Sequence, residues 1–234
     1  MSDKIIQLTD VSLSWSQRSI LENINLTINK SDFVAITGPN GGGKTTLLRV
    51  ILKLLKPTTG QVAYYYNGTE AERLHIGYLP QKNMIDNKFP ITVEQVVKSG
   101  LIAETSLTKE LQATRIDEII ELVELNQRRN YAIGQLSGGQ LQRTLLGRAL
   151  ISKPEILILD EPLSYIDKQF ESKIYDIIDH LSHNTTIILV SHEMSRIASM
   201  ANRHIIVDRT IEECTASHHY FTLDCPCPSH PHSH

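Results

Sequence analysis

The spacing of hydrophobic residues changes character along the chain, and each change predicts a different kind of element. Near the N-terminus, Val11, Leu13 and Trp15 alternate with serines, and Ile24, Leu26 and Ile28 alternate with asparagine and threonine. Period-two alternation predicts two half-buried strands, read as an antiparallel β part. The run Phe33-Val-Ala-Ile-Thr37 is continuously apolar, as expected of a short strand covered on both faces in a parallel sheet. Beyond a glycine-rich turn, Leu47, Leu48, Ile51, Leu54 and Leu55 fall on one face of a helix that should stop before Pro57. Residues 92–102, 108–125 and 138–151 read as helices with no strand between them. Residues 75–80, 155–160 and 185–190 read as short buried strands, the last two separated by a helix over 170–181. The expected architecture is therefore a single α/β domain. Its core is residues 1–89 and 152–213, with a helical subdomain inserted at 90–151 and a flexible Cys/His-rich tail at 214–234.

Composition narrows the class without changing this picture. A length of 234 residues suits one α/β core. A formal net charge of −3 argues against a nucleic-acid partner held by a broad basic face. The three cysteines, Cys214, Cys225 and Cys227, all lie near the C-terminus, so no disulfide framework supports the core, as expected in a reducing compartment. The first ten residues lack a basic stretch followed by an apolar run, so no signal peptide is expected. The longest apolar runs fall far below the roughly eighteen residues of a membrane span, and any membrane role must come through a partner.

The candidate chemistry begins at the glycine-rich turn. Gly38, Pro39, Asn40, Gly41, Gly42, Gly43, Lys44 and Thr45 match G-x-x-x-x-G-K-[ST] between a predicted strand and a predicted helix. Glycines let successive backbone N–H groups turn inward around phosphate oxygens, and the following helix points its positive end at them. Lys44 supplies charge near the β- and γ-phosphates, and the Thr45 hydroxyl is a Mg²⁺ ligand type. Open parallel sheets carry their chemistry beyond the strand C-termini. Here those ends deliver Gln81, Asp160, Glu161 and His192 to one rim. Phosphoryl transfer needs a metal, a positioned water and compensation of γ-phosphate charge. Asp160 and Thr45 suit Mg²⁺, Glu161 the proton of the attacking water, Gln81 a bridge between metal and water, and His192 the γ-phosphate.

Ser137, Gly138, Gly139 and Gln140, after Leu136, open another predicted helix and form a second anion site. A chain that already cradles its own phosphates has no use for a second such site unless it serves a nucleotide bound to another copy. With this motif the chain resembles the ABC ATPase family over nearly its whole length. The segments Gly38–Thr46, Leu79–Gln81, Leu136–Arg143, Ile156–Pro162 and Leu189–Glu193 occur in the family's order. The resemblance implies a P-loop (RecA-like) ATPase core and a homodimer in which the P-loop of one subunit and the Ser137–Gln140 signature of the other sandwich each ATP. It also implies an integral membrane permease and an extracytoplasmic substrate-binding protein as partners, and a cytoplasmic location on the inner face of the membrane. Thr46 continues the ATP-binding segment. Trp15 stands where the family places an aromatic that stacks on adenine, although its alternating strand also admits a core tryptophan. Asp167 takes the family's position for coupling the two sites, but Tyr165 and Ile166 depart from the usual Ala-Leu before it.

Two features bear on the cargo. Residues 89–97, in a region that faces the membrane partner in the family, resemble the same segment of manganese and zinc importer ATPases. The C-terminal segment carries Cys225, Cys227, His230, His232 and His234, and thiolate and imidazole are zinc's preferred ligands. Half of the ten histidines fall in the last seventeen residues, yet the spacing fits no structural zinc template. A divalent-metal importer ATPase is the first expectation, with ATP, Mg²⁺ and tail-bound Zn²⁺ as its ligands. Alternatives are an ATPase for iron chelates, haem or other small solutes, and a soluble ABC ATPase without transport. The signature ends in glutamine rather than the glutamate of the iron–sulfur assembly ATPase, and no coiled-coil insertion or tandem domain is present.

Overall fold

The structure is a computed structural model describing residues 3–81, 89–192 and 196–214. The two alternating segments extend into long strands, β1 (Lys4–Trp15) and β2 (Arg18–Asn29), paired antiparallel through a turn at Ser16 and Gln17, both at positive φ. Two such residues give a hairpin turn whose twist matches that of the strands. β4 (Thr59–Tyr66) joins the other edge of β1, and β5 (Thr69–Ala71) follows it through Asn67-Gly68. The four strands form an antiparallel sheet in the order β2-β1-β4-β5.

The second sheet has the order β10-β9-β3-β8-β7-β6. It contains β3 (Phe33–Thr37), β6 (Ile76–Leu79), β7 (Ile156–Asp160), β8 (Thr186–Val190), β9 (Arg203–Asp208) and β10 (Thr210–Cys214). All neighbours are parallel except β9 and β10. Every residue of β7 and β8 is buried, as their continuous apolar runs predict, and their alternation feeds two cores. Leu157, Leu159, Ile187 and Leu189 pack on the helical side with the helices α2 (Val93–Ser99), α3 (Lys109–Leu122), α4 (Gly138–Leu150) and α5 (Lys168–Ser182). Ile156, Ile158, Ile188 and Val190 pack against the antiparallel sheet and the helix α1 (Lys44–Ile51). The final helix, α6 (Ile197–Met200), is a single turn.

Between β6 and β7 the described residues contain helices and turns but no strand, apart from an isolated bridge between Thr92 and Ala132. Helices α2, α3 and α4 are preceded by the N-cap residues Thr92, Thr108 and Ser137, each accepting a backbone N–H on its side-chain oxygen. Two expectations need correction. The helix over Leu47–Leu55 ends at Ile51, because Lys53 turns to positive φ and Leu54 N–H reaches back to the Arg49 carbonyl, closing a C-terminal turn that leaves Leu54 exposed. Cys214, expected to begin the tail, instead ends β10, paired with His204 of β9. Cys225, Cys227, His230, His232 and His234 lie outside the described residues.

Candidate nucleotide site

The cradle forms where β3 gives way to α1. Gly38 is at φ 135°, and a Cβ there would lie 2.1 Å from the Val207 carbonyl oxygen, so backbone and space both demand glycine. Gly43, also at positive φ, caps α1 without a side chain, leaving the N–H groups of the first turn to an anion. Lys44 is only 6% exposed, and its Nζ donates to the carbonyls of Gly38 and Pro39, each at 2.9 Å. Burial lowers its pKa, while Glu161 and Asp160 act in the opposite direction.

The strand register brings the remaining chemistry to the same rim. Ile36 pairs with Val190, and Leu79 with Leu159. Gly38 and His192, and likewise Gln81 and Glu161, therefore lie two residues beyond paired positions. Asp160 ends β7 fully buried, and burial raises its pKa. The Thr45 hydroxyl pulls that pKa the other way, yet neither carboxylate oxygen meets hydrogen-bond geometry with a described residue. A carboxyl kept dry with only the Thr45 hydroxyl near it is costly in a core but suited to a cation or its water shell. With Thr45 adjacent, the donor set fits Mg²⁺.

Glu161 begins the turn after β7 at φ 53°, a conformation costing on the order of 1–3 kcal/mol for a residue with a side chain. Its N–H donates to Val190 O at 2.9 Å. Its Oε1 lies 3.0 Å from His192 Nε2, and Ser164 Oγ donates to its Oε2 at 3.2 Å. The imidazole expected at the γ-phosphate thus contacts the carboxylate in this structure. Gln81 is half-buried at the rim. Trp15, 69% exposed beside the β1–β2 turn, is not a core residue, which removes that alternative.

The signature is built separately. Ser137 Oγ accepts from Gln140 N–H at 3.2 Å, and Gln140 Oε1 accepts from Ser137 N–H at 3.0 Å. Gln140 therefore serves as the second half of a capping box. A cleft of about 1030 Å³ is bordered by Ser137, Gly138, Gly139, Arg143, Tyr165 and Asp167 and by no residue of the P-loop. Asp167 caps α5 through Phe170 N–H and accepts from Arg143 Nη2 at 2.6 Å, and both contacts hold its carboxyl below the usual range. The structure also adds residues that motif reading passed over. Buried Gln142 donates from Nε2 to the Glu161 carbonyl at 3.2 Å and the Pro162 carbonyl at 3.4 Å. Arg143 stacks on Phe170 with its guanidinium carbon 3.8 Å from the ring centre. Only Gln142 carries a sequence signal, as a polar side chain among the buried residues Leu141, Leu145 and Leu146, whereas half-buried Arg143 carries none.

A glycine cradle on a parallel strand, a buried lysine and a paired strand-end aspartate and glutamate define a P-loop ATPase cassette. The family profile described as ABC transporter matches residues 21–164, and the chain belongs to that family as one of its ATPases. It is 36% identical over 209 residues to the zinc import ATP-binding protein ZnuC of Pasteurella multocida, covering 88% of this chain and 74% of that one. To the high-affinity zinc uptake system ATP-binding protein ZnuC of Bacillus subtilis it is 35% identical over 211 residues, covering 88% and 91%. Among solved structures, an ATP-binding cassette dimer in a post-hydrolysis state with ADP and Pi superposes with a TM-score of 0.79. Their identity is 28%, and the match covers 89% of this chain and 97% of that one. No helix among the described residues is long and apolar enough to cross a membrane.

Proposed function

We propose that this chain is the ATP-hydrolysing subunit of an importer for a divalent metal ion, zinc or manganese. The similarity to two zinc-uptake ATPases over most of both chains carries this reading, and the segment 89–97 agrees with it. The chain works as an ATP-bound homodimer beneath an integral membrane permease, at the inner face of the membrane, supplied by an extracytoplasmic substrate-binding protein. Residues 90–151 act as the helical subdomain that meets the permease.

In each composite site Trp15 stacks on adenine and residues 38–46 hold the phosphates. Lys44 exchanges its carbonyl partners for β- and γ-phosphate oxygens. The Thr45 hydroxyl and Asp160, with Gln81 at the rim, hold Mg²⁺, which offsets phosphate charge when bound. Glu161 accepts the proton of a water whose oxygen attacks the γ-phosphorus. The bond to the β–γ bridging oxygen breaks, and ADP and phosphate leave. His192, beside Glu161, orients that carboxylate and donates to the γ-phosphate. The partner's signature, Ser137 to Gln140, closes the site over the γ-phosphate, and Asp167 links the two sites. The cysteines and histidines from Cys225 to His234 bind Zn²⁺ and report the level of delivered metal.

The substrate is tested by zinc and manganese accumulation in cells lacking the gene and complemented with wild type or Glu161→Gln. Accumulation of either metal should return only with wild type, and equal accumulation in both complemented strains would remove the metal assignment. For the tail, zinc titration of the full chain and of a chain ending at Glu213 should show tighter binding in the full chain. Equal affinity would remove the tail site.

A further inference from the structure

The turn that carries Glu161 is held at both ends by two adjacent residues of the signature helix. Gln142, 1% exposed, donates its amide to the carbonyls of Glu161 and Pro162, where the turn begins. Arg143 donates to Asp167, where the turn ends, while its guanidinium stacks on Phe170 and also reaches Glu124 Oε2 at 3.3 Å. Between them, Gly139 faces the Tyr165 carbonyl so closely that a Cβ would sit 2.8 Å from it. Glu161, Tyr165, Gly139, Gln142 and Arg143 therefore form one contiguous body joining the signature to the carboxylate. Two observations mark the joint as more than packing. Gln142 Oε1 has no hydrogen-bond partner among the described residues, so the buried amide is used only through its donor half. Glu161 and Tyr165 both sit at positive φ, conformations a loop keeps only when its surroundings impose them.

We infer that Gln142 and Arg143 are positioning residues that tie the placement of Glu161 to the placement of the signature helix. This rests on the proposed composite site, in which the signature touches the nucleotide held by the other copy. ATP arriving at the partner's P-loop seats Ser137 and Gly139. Gln142 and Arg143 carry that seating to the backbone of Glu161, and the chain's own ATP then meets a correctly placed base. Hydrolysis at one site thereby depends on occupancy of the other through a rigid link inside each chain.

The test compares Gln142→Leu, Arg143→Met and Arg143→Lys with wild type and Glu161→Gln. It measures turnover against ATP concentration, ATP affinity through the fluorescence of Trp15, the only tryptophan, and thermal unfolding. Misplacing a reacting group by about an ångström costs about 10²-fold. Gln142→Leu and Arg143→Met should lose between about 10- and 100-fold in kcat with ATP affinity within about two-fold of wild type. Their ATP dependence should also flatten towards a Hill slope of 1, and Arg143→Lys should recover part of both. Wild-type kcat and Hill slope in Gln142→Leu and Arg143→Met would overturn the inference, as would loss of ATP affinity in parallel with kcat. If Gln142→Leu does not fold, Gln142→Asn and Arg143→Met decide by the same readings. Glu161→Gln keeps the two questions apart. Turnover by that variant near the wild-type rate would remove the base itself, whereas its inactivity beside fully active Gln142→Leu and Arg143→Met removes only the link.

Discussion

Gly139→Ala sets two effects of opposite sign against each other. Gly139 is the second residue of α4, where alanine in place of glycine should favour the helix by about 0.5–1 kcal/mol. The added methyl, however, would stand 2.8 Å from the Tyr165 carbonyl oxygen, short of the 3.4 Å at which ordinary contacts begin. The obstacle is backbone, not the end of a flexible side chain. It belongs to a turn fixed by Gln142 and Arg143 at its ends, so the turn must shift by several tenths of an ångström. Helix gain and local strain are of similar size, so net stability should change by no more than about 1 kcal/mol, a shift of about 2–4 °C in Tm. Catalysis has no compensating term. If an ångström of misplacement costs about 10²-fold, kcat should fall by about 10-fold or more. The assay is phosphate release at saturating ATP beside thermal unfolding and Trp15 fluorescence. Wild-type turnover with unchanged Tm would refute the reasoning, because the turn would then move without consequence for Glu161.

Lys44→Ala should weaken ATP binding and stop hydrolysis, read by the same fluorescence titration and phosphate release, because it removes the one buried ammonium of the cradle. Ser137→Arg should leave ATP binding by a single chain near wild type yet abolish turnover. Equal binding loss in both variants would place the two motifs in one site. Arg203→Met should lower stability by about 1–3 kcal/mol, seen in Tm, because Arg203 donates to Asp32 at 2.6 Å and Thr27 O at 2.7 Å as well as to Glu213. The Arg203 contact lowers the Glu213 pKa, so the Glu213 share of this stabilisation is full above the ordinary carboxylate value of 4.5 and fades as pH falls through the lowered one. The Tm difference between wild type and Arg203→Met should therefore narrow in acid.

The sequence was most legible where one physical demand dominated. The strands β3, β7 and β8 are covered on both faces, and their unbroken apolar runs say so. The P-loop needs glycines at fixed places, and Gly38 and Gly43 meet that need by geometry. Strands near the edges were harder to read. β4 ends in three consecutive tyrosines and β5 is only three residues long, so neither shows a clear period, although Asn67-Gly68 between them is a strong hairpin signal. β9 and β10 bury few side chains and are flanked by charges, so their period is faint, and with them went the placement of Cys214. The end of α1 depends on Lys53 adopting positive φ, which a lysine does not advertise. Individual site residues were visible as motifs, but their mutual contacts were not. The pairing of His192 with Glu161 and the hold of Gln142 on the same turn are long-range facts of the fold.

The composite site in a dimer of this chain is the central claim, and one measurement addresses it most directly. Glu161→Gln, which keeps shape but loses basicity, is brought to sedimentation equilibrium with and without ATP, alone and combined with Ser137→Arg. The single variant should be monomeric without ATP and dimeric with it, retaining one ATP per chain, while the double variant should stay monomeric in both conditions. A single variant that remains monomeric with saturating ATP bound, or a double variant that dimerises equally well, would contradict the account.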